Sequence, residues 1–202
     1  MITTTTALRQ VTVTVNGRSR TASIEPRTTL GDFLRDDLNL KSVHYGCHYG
    51  VCGSCTVLVD GESVRACTML AVEADGRSVE TVESLSSDPR ELHPIQQAFT
   101  ENFGLQCGFC TPAMVLRTKE MLESGDGQLT REQIRHELSG IICRCTGYQQ
   151  IVDAVEAAQQ AHGDGRRPSQ LSAPSAGENE DSGLVDDAEH VGESAYNEDR
   201  EG

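Results

Sequence analysis

Gly46-Cys47-His48-Tyr49-Gly50-Val51-Cys52-Gly53-Ser54-Cys55-Thr56-Val57-Leu58-Val59-Asp60-Gly61 is the stretch on which the reading of this chain turns. Cys47-x4-Cys52-x2-Cys55 is the plant-type spacing for a [2Fe-2S] cluster. Three thiolates must converge on one small rhomb from a loop too short for regular structure. Gly46, Gly50 and Gly53 permit the backbone angles this requires, and let N–H groups point at sulfur and offset its negative charge. The run Thr56–Val59 then reads as a strand, and Asp60-Gly61 as a tight hairpin turn. Ser63 to Cys67 is the returning strand, so Cys67 closes the cage from that hairpin.

Upstream, Val11, Val13 and Val15 alternate with polar residues, the period of a half-buried strand. Asn16-Gly17 signals a hairpin, with Thr21 to Ile24 as the return. Thr28 or Thr29 can cap a short helix with the face Leu30, Phe33, Leu34 and Leu38. Downstream, Ser78 to Val82 is one more strand. Together these predict a small mixed sheet packed on a helix, an α+β unit over residues 8–84.

After about residue 88 the pattern turns helical. Pro94 suits a first helical position, with Ile95, Ala98 and Phe99 on one face. Thr111-Pro112 reads as cap plus first helical residue of a helix to about Glu123, with Met114, Val115, Thr118, Met121 and Leu122 inside. Thr130 to Gln133 has capping-box spacing and opens a helix with Ile134 and Leu138 inside. Gly147 to Ala161 is the fourth, with Ile151, Val152, Val155 and Ala158 at helical spacing. Four short helices over residues 88–162 predict an all-α four-helix bundle.

This half carries a second tetrad, Cys107-x2-Cys110 and Cys143-x-Cys145. Each pair precedes an expected helix start, where unpaired N–H groups favour an anionic group. Inert buried cysteines cannot account for eight residues in two tetrads. Zinc is the competing metal, since four-cysteine zinc sites are common. The three-cysteine loop argues against zinc at the first tetrad; the second, taken alone, is less diagnostic. His44 and His48 raise a Rieske-type alternative, but four cysteines already fill that site, so both read as loop residues. The other histidines read as surface groups.

The 202-residue chain has a formal charge of -14, with 37% hydrophobic residues and no tryptophan. Residues 163–202 hold eleven acids against three arginines, and read as an acidic disordered tail. An acidic surface disfavours nucleic acid, which needs clustered Lys and Arg. No apolar run approaches a membrane span of roughly 18–20 residues. The first residues, Met1-Ile2-Thr3-Thr4-Thr5-Thr6, have neither the basic start nor the apolar stretch of a secretory signal, so a cytoplasmic location is expected. There cysteines seldom form disulfides.

Three segments together carry a family resemblance: Gly46 to Gly61; Gln106-Cys107-Gly108-Phe109-Cys110-Thr111-Pro112; and Cys143-Arg144-Cys145-Thr146-Gly147-Tyr148. In this order they resemble the small iron-sulfur subunit of molybdenum hydroxylases, such as carbon monoxide dehydrogenase, xanthine dehydrogenase and aldehyde oxidoreductase. The resemblance covers about residues 8–162. It implies a plant-ferredoxin-like β-grasp domain followed by the helical domain, with two [2Fe-2S] clusters on Cys47, Cys52, Cys55, Cys67 and on Cys107, Cys110, Cys143, Cys145. It also implies a large molybdopterin subunit and a medium FAD subunit as partners, in a heterotrimer or its dimer, with single electrons passing from molybdopterin to FAD. Gln106 and Cys145 are placed against the pterin by resemblance. No residue of this chain is expected to act on substrate. Two positions depart from the usual motif. Ala113 stands where glycine is usual, which leaves close packing against the large subunit open. Ile141 stands where asparagine is usual, so an amide able to bond nearby backbone is lost. The rival readings are a free ferredoxin-like carrier and a zinc-binding interaction module.

Overall fold

The computed structural model describes residues 7–163 except 87, 89, 126 and 127. The acidic tail anticipated from residue 163 therefore falls, apart from Gly163, outside the described residues.

Strand β1 (Arg9–Val15) pairs antiparallel with β2 (Arg18–Ile24). Val11, Val13 and Val15 point inward and the residues between them outward, as alternation requires. Asn16 and Gly17 both take positive φ, 49° and 76°, the two-residue turn that matches strand twist. Asp60 and Gly61 repeat this at 51° and 87° between β3 (Thr56–Val59) and β4 (Glu62–Arg65). Strand β5 (Ser78–Glu80) lies parallel to β1 and antiparallel to β3, giving the order β2-β1-β5-β3-β4. The mixed α+β sheet is thus as expected, with β2 longer and β4 and β5 shorter than their sequence spans.

Helix α1 (Leu30–Asp32) is capped by Thr29, whose hydroxyl accepts from the Asp32 N–H at 3.1 Å. It does not continue as an ordinary helix. Phe33–Asp37 is a wider π-type turn, closed by Leu38 N–H on the Phe33 carbonyl. Leu30, Phe33 and Leu34 are fully buried, while Leu38 packs on the margin of that core. Strand β3 is buried along its whole length. Val57 and Val59 join the core under α1, and a helix from the second half, Thr111–Ser124, packs against the strand too.

Helices α2 (Pro94–Glu101), α3 (Thr111–Ser124), α4 (Arg131–Leu138) and α5 (Gln149–Gly163) share a second apolar core. The expected inward faces are buried: Ile95 and Phe99; Met114, Val115, Thr118, Met121 and Leu122; Ile134 and Leu138; Ile151, Val152 and Val155. Thr130 and Gln133 form the anticipated capping box. Three details differ from the sequence reading. Cys110, not Thr111, occupies the cap of α3, because the cysteine turn runs straight into the helix. Helix α5 begins at Gln149 rather than Gly147, because Gly147 and Tyr148 both adopt positive φ. His93 is buried rather than a surface group: it caps α2, its Nδ1 accepting from Ile95 N–H at 3.3 Å.

The two cores are tied at one seam. Glu120 of α3 accepts from the Ser63 N–H at 3.1 Å and also bonds the Ser63 hydroxyl. Arg117 pairs with Glu120 and Glu137, and Arg65 of β4 donates to the Gly140 carbonyl at 2.6 Å. Among the described residues, no helix is long and apolar enough to cross a membrane.

Candidate metal centres

The first cysteine loop leaves α1 and returns to the sheet at β3. Tyr45 seats its start: its hydroxyl lies 3.2 Å from the Thr29 hydroxyl and its ring packs over Gly31. His48, Gly50 and Gly53 have φ of 62°, 83° and 73°, so the loop coils back on itself. Gly46 is needed for space rather than for its angle, since a Cβ there would sit 3.0 Å from the Cys52 sulfur. The Cys52 N–H points at the Cys47 sulfur at 3.3 Å. With the Tyr49 N–H it pulls the half-buried Cys47 thiol down to about 7.

Cys67 follows the β3–β4 hairpin, two residues past the end of β4. Thr56 pairs with Arg65, and Ala66 N–H donates to the Cys55 carbonyl at 3.2 Å. Cys55 and Cys67 are both buried, and their thiols lie side by side. Burial pushes the Cys55 thiol up to about 12.

The second site is assembled at the starts of α3 and α5. The Cys107 and Cys145 thiols are exposed and meet each other; Cys110 and Cys143 meet on the inner side. The Phe109 N–H faces the Cys107 sulfur and holds that thiol below its ordinary value. Burial pushes Cys110 up to about 12. Burial would also raise Cys143, but bonds from Thr146 and from the Cys145 N–H outweigh it. The Thr146 hydroxyl lies 3.2 Å from that sulfur. The Cys143 N–H donates to the Tyr148 hydroxyl at 2.9 Å, and that hydroxyl reaches the Ile141 carbonyl at 3.3 Å. Thr146 and Tyr148, noted in the sequence only as parts of a motif, thus shape the Cys143–Cys145 turn. Gln106 is exposed beside Cys107.

The donor chemistry fits two binuclear iron-sulfur sites. The thiols approach pairwise, Cys47 with Cys52, Cys55 with Cys67, Cys107 with Cys145 and Cys110 with Cys143. A [2Fe-2S] rhomb takes two thiolates on each iron. N–H groups directed at sulfur are what an anionic cluster requires. Among the described residues, no three His, Cys, Asp or Glu side chains draw together closely enough for a single ion.

The two family departures acquire a structural meaning. Ala113 is fully buried inside α3, so its methyl packs within this chain and not on its surface. Ile141 is also buried, in the helical core. An apolar side chain suits that place, and its carbonyl is satisfied by Tyr148.

The comparisons agree with this geometry. Residues 13–86 match a family described as a 2Fe-2S iron-sulfur cluster binding domain, and residues 81–156 a [2Fe-2S] binding domain. The subunit beta of the 6-hydroxypseudooxynicotine dehydrogenase complex of Paenarthrobacter nicotinovorans is 52% identical over 145 residues, 72% of this chain and 90% of the relative. The chain belongs to the [2Fe-2S] small-subunit family of molybdenum hydroxylases. Caffeine dehydrogenase subunit gamma from a Pseudomonas species is 47% identical, over 73% of this chain and 89% of its own. The crystal structure of quinoline 2-oxidoreductase from Pseudomonas putida superposes with a TM-score of 0.74 at 42% identity, covering 79% of this chain and 98% of that one. As a member of this family the chain carries [2Fe-2S] clusters and serves electron transfer in a multisubunit dehydrogenase.

Proposed function

We propose that this chain relays single electrons from a large molybdopterin-bearing subunit to a medium FAD-bearing subunit, within a heterotrimer or its dimer. The observation that supports the reading is the pairwise approach of eight thiols in one chain, with one pair, Cys107 and Cys145, exposed. When bound, a [2Fe-2S] cluster supplies reversible one-electron oxidation and reduction. Cys47, Cys52, Cys55 and Cys67 hold one cluster; Cys107, Cys110, Cys143 and Cys145 hold the other. The N–H groups of Cys52, Tyr49 and Phe109 moderate the charge on the sulfurs. Exposed Cys145 and Gln106 present the second site to the pterin, which shortens the entry step. No side chain here handles substrate.

The domains in this reading are a plant-ferredoxin-like β-grasp unit over 8–84 and a four-helix bundle over 88–162. The two separate apolar cores support that division. The relatives named for 6-hydroxypseudooxynicotine, caffeine and quinoline suggest a nitrogen heterocycle as the substrate of the complex.

The test is to co-express the chain with its neighbouring subunits and assay the purified complex. About four irons and four sulfides per chain are expected, with molybdenum and flavin co-purifying. Cys107→Ser should remove one paramagnetic resonance signal and Cys67→Ser the other. A chain that elutes alone, or that holds zinc without sulfide, overturns the reading.

A further inference from the structure

His44 stands three residues before Cys47, and Phe109 lies between Cys107 and Cys110. Nothing in the spacing of either motif connects them. In the fold the His44 Nδ1 is 2.7 Å from the Phe109 carbonyl oxygen. A carbonyl only accepts, so Nδ1 carries the proton and donates. The two rings also stack, with centroids 4.8 Å apart and planes 16° from parallel. The same Phe109 ring edge lies against Gly46, 3.6 Å from where a Cβ would stand.

Phe109 is 41% exposed and has no place in either apolar core. Core packing therefore does not set its position. Gly108 before it has φ of 80° and open space around its Cα, so this loop has little steric restraint of its own. The contact with His44 supplies a restraint from the other half of the molecule. It acts on the residue whose N–H faces the Cys107 sulfur and whose carbonyl precedes Cys110.

We propose that His44 is a positioning residue, which through its hydrogen bond and ring stack with Phe109 sets the Cys107–Cys110 loop against the Cys47–Cys55 loop. It thereby fixes the separation and relative orientation of the two cluster sites. This rests on the two-cluster reading above. His44 acts through Phe109. Its imidazole combines a directed donor with a flat face. Neither an aliphatic side chain nor a lysine offers both.

The experiment uses the assembled complex carrying His44→Ala, His44→Phe or His44→Asn. His44→Phe keeps a stacking ring without the donor, and His44→Asn keeps a donor without the stack. Readouts are iron content, the magnetic splitting between the two reduced clusters, and the midpoint potential of the helical-domain cluster. Wild-type iron content with a reduced splitting and a shifted potential in His44→Ala, partly restored in one or both of the other variants, is the expected result. Wild-type splitting and potential in all three variants at full iron content overturn the proposal. If His44→Ala fails to accumulate, His44→Phe decides, since it preserves ring volume: unchanged splitting and potential there overturn it. Absence of iron from the wild-type complex would instead defeat the two-cluster reading itself.

Discussion

The Ile142 N–H donates to the Cys52 carbonyl at 2.8 Å. Ile142 is the residue before Cys143, so one hydrogen bond joins the backbones of the two cysteine tetrads. Gly53 lies at the same point, with the Gly140 carbonyl and the Ile141 Cα directly above its Cα. The halves of the molecule are thus in contact through backbone where the sulfurs converge, with no bulky side chain between them.

Gly53→Ala should break this contact. The position has φ of 73°, and a Cβ would run into the Gly140 carbonyl and come within 2.9 Å of the Ile141 Cα. Neither neighbour is a flexible side-chain end. Overpacking of this kind costs about 1–3 kcal/mol, beyond the strain of a left-handed alanine. Thermal unfolding should occur at lower temperature, and iron content should fall.

Gly31→Ala tests the seat of the first loop. A Cβ there would lie 2.8 Å from the Tyr45 Cζ and 2.9 Å from its Cε1. Tyr45 must then move, and it is two residues from Cys47. The paramagnetic signal of the first cluster should weaken or broaden while that of the helical-domain cluster stays. Equal loss of both signals would show a global rather than a local effect.

Ala113→Gly restores the residue usual in the family motif and should destabilise this chain. Glycine inside a helix costs about 1 kcal/mol relative to alanine, and the buried methyl is also lost. Urea titration should show a lower midpoint with both cluster signals retained.

Glu120 predicts a pH dependence. Burial would raise its carboxyl, but the Ser63 hydroxyl and Arg117 outweigh this and hold it below the usual range. A depressed carboxylate adds stability that is complete above its unfolded value, about 4.3, and is lost as pH falls through the folded one. The stability difference between wild type and Glu120→Gln should therefore be constant from pH 8 to about 6 and shrink in acid. Urea denaturation across that range checks it.

Local features of the sequence were legible for local reasons. Asn16-Gly17 and Asp60-Gly61 specify their turns by backbone angle. Thr130 and Gln133 specify a cap by spacing. Buried faces such as Met114, Thr118 and Met121 follow from helical period. The π-type turn at Phe33–Asp37 was not legible, since Leu34 and Leu38 have ordinary helical spacing. The cap role of His93 is not legible in the sequence, because it depends on bonds with Ile95 and Gln96 that only the folded turn makes.

The sequence by itself determined where eight thiols stand, in two spacings, with glycines where a loop must coil tightly. Those are properties of short segments, and short segments carry their own geometry. Tertiary structure alone decided how the two sites face each other. His44 and Phe109 are 65 residues apart, and no spacing rule links Cys52 to Ile142. Their contacts form across the boundary at which α3 packs on β3 and Glu120 bonds Ser63. That docking brings backbone to backbone, a relationship that no period or motif within either half encodes.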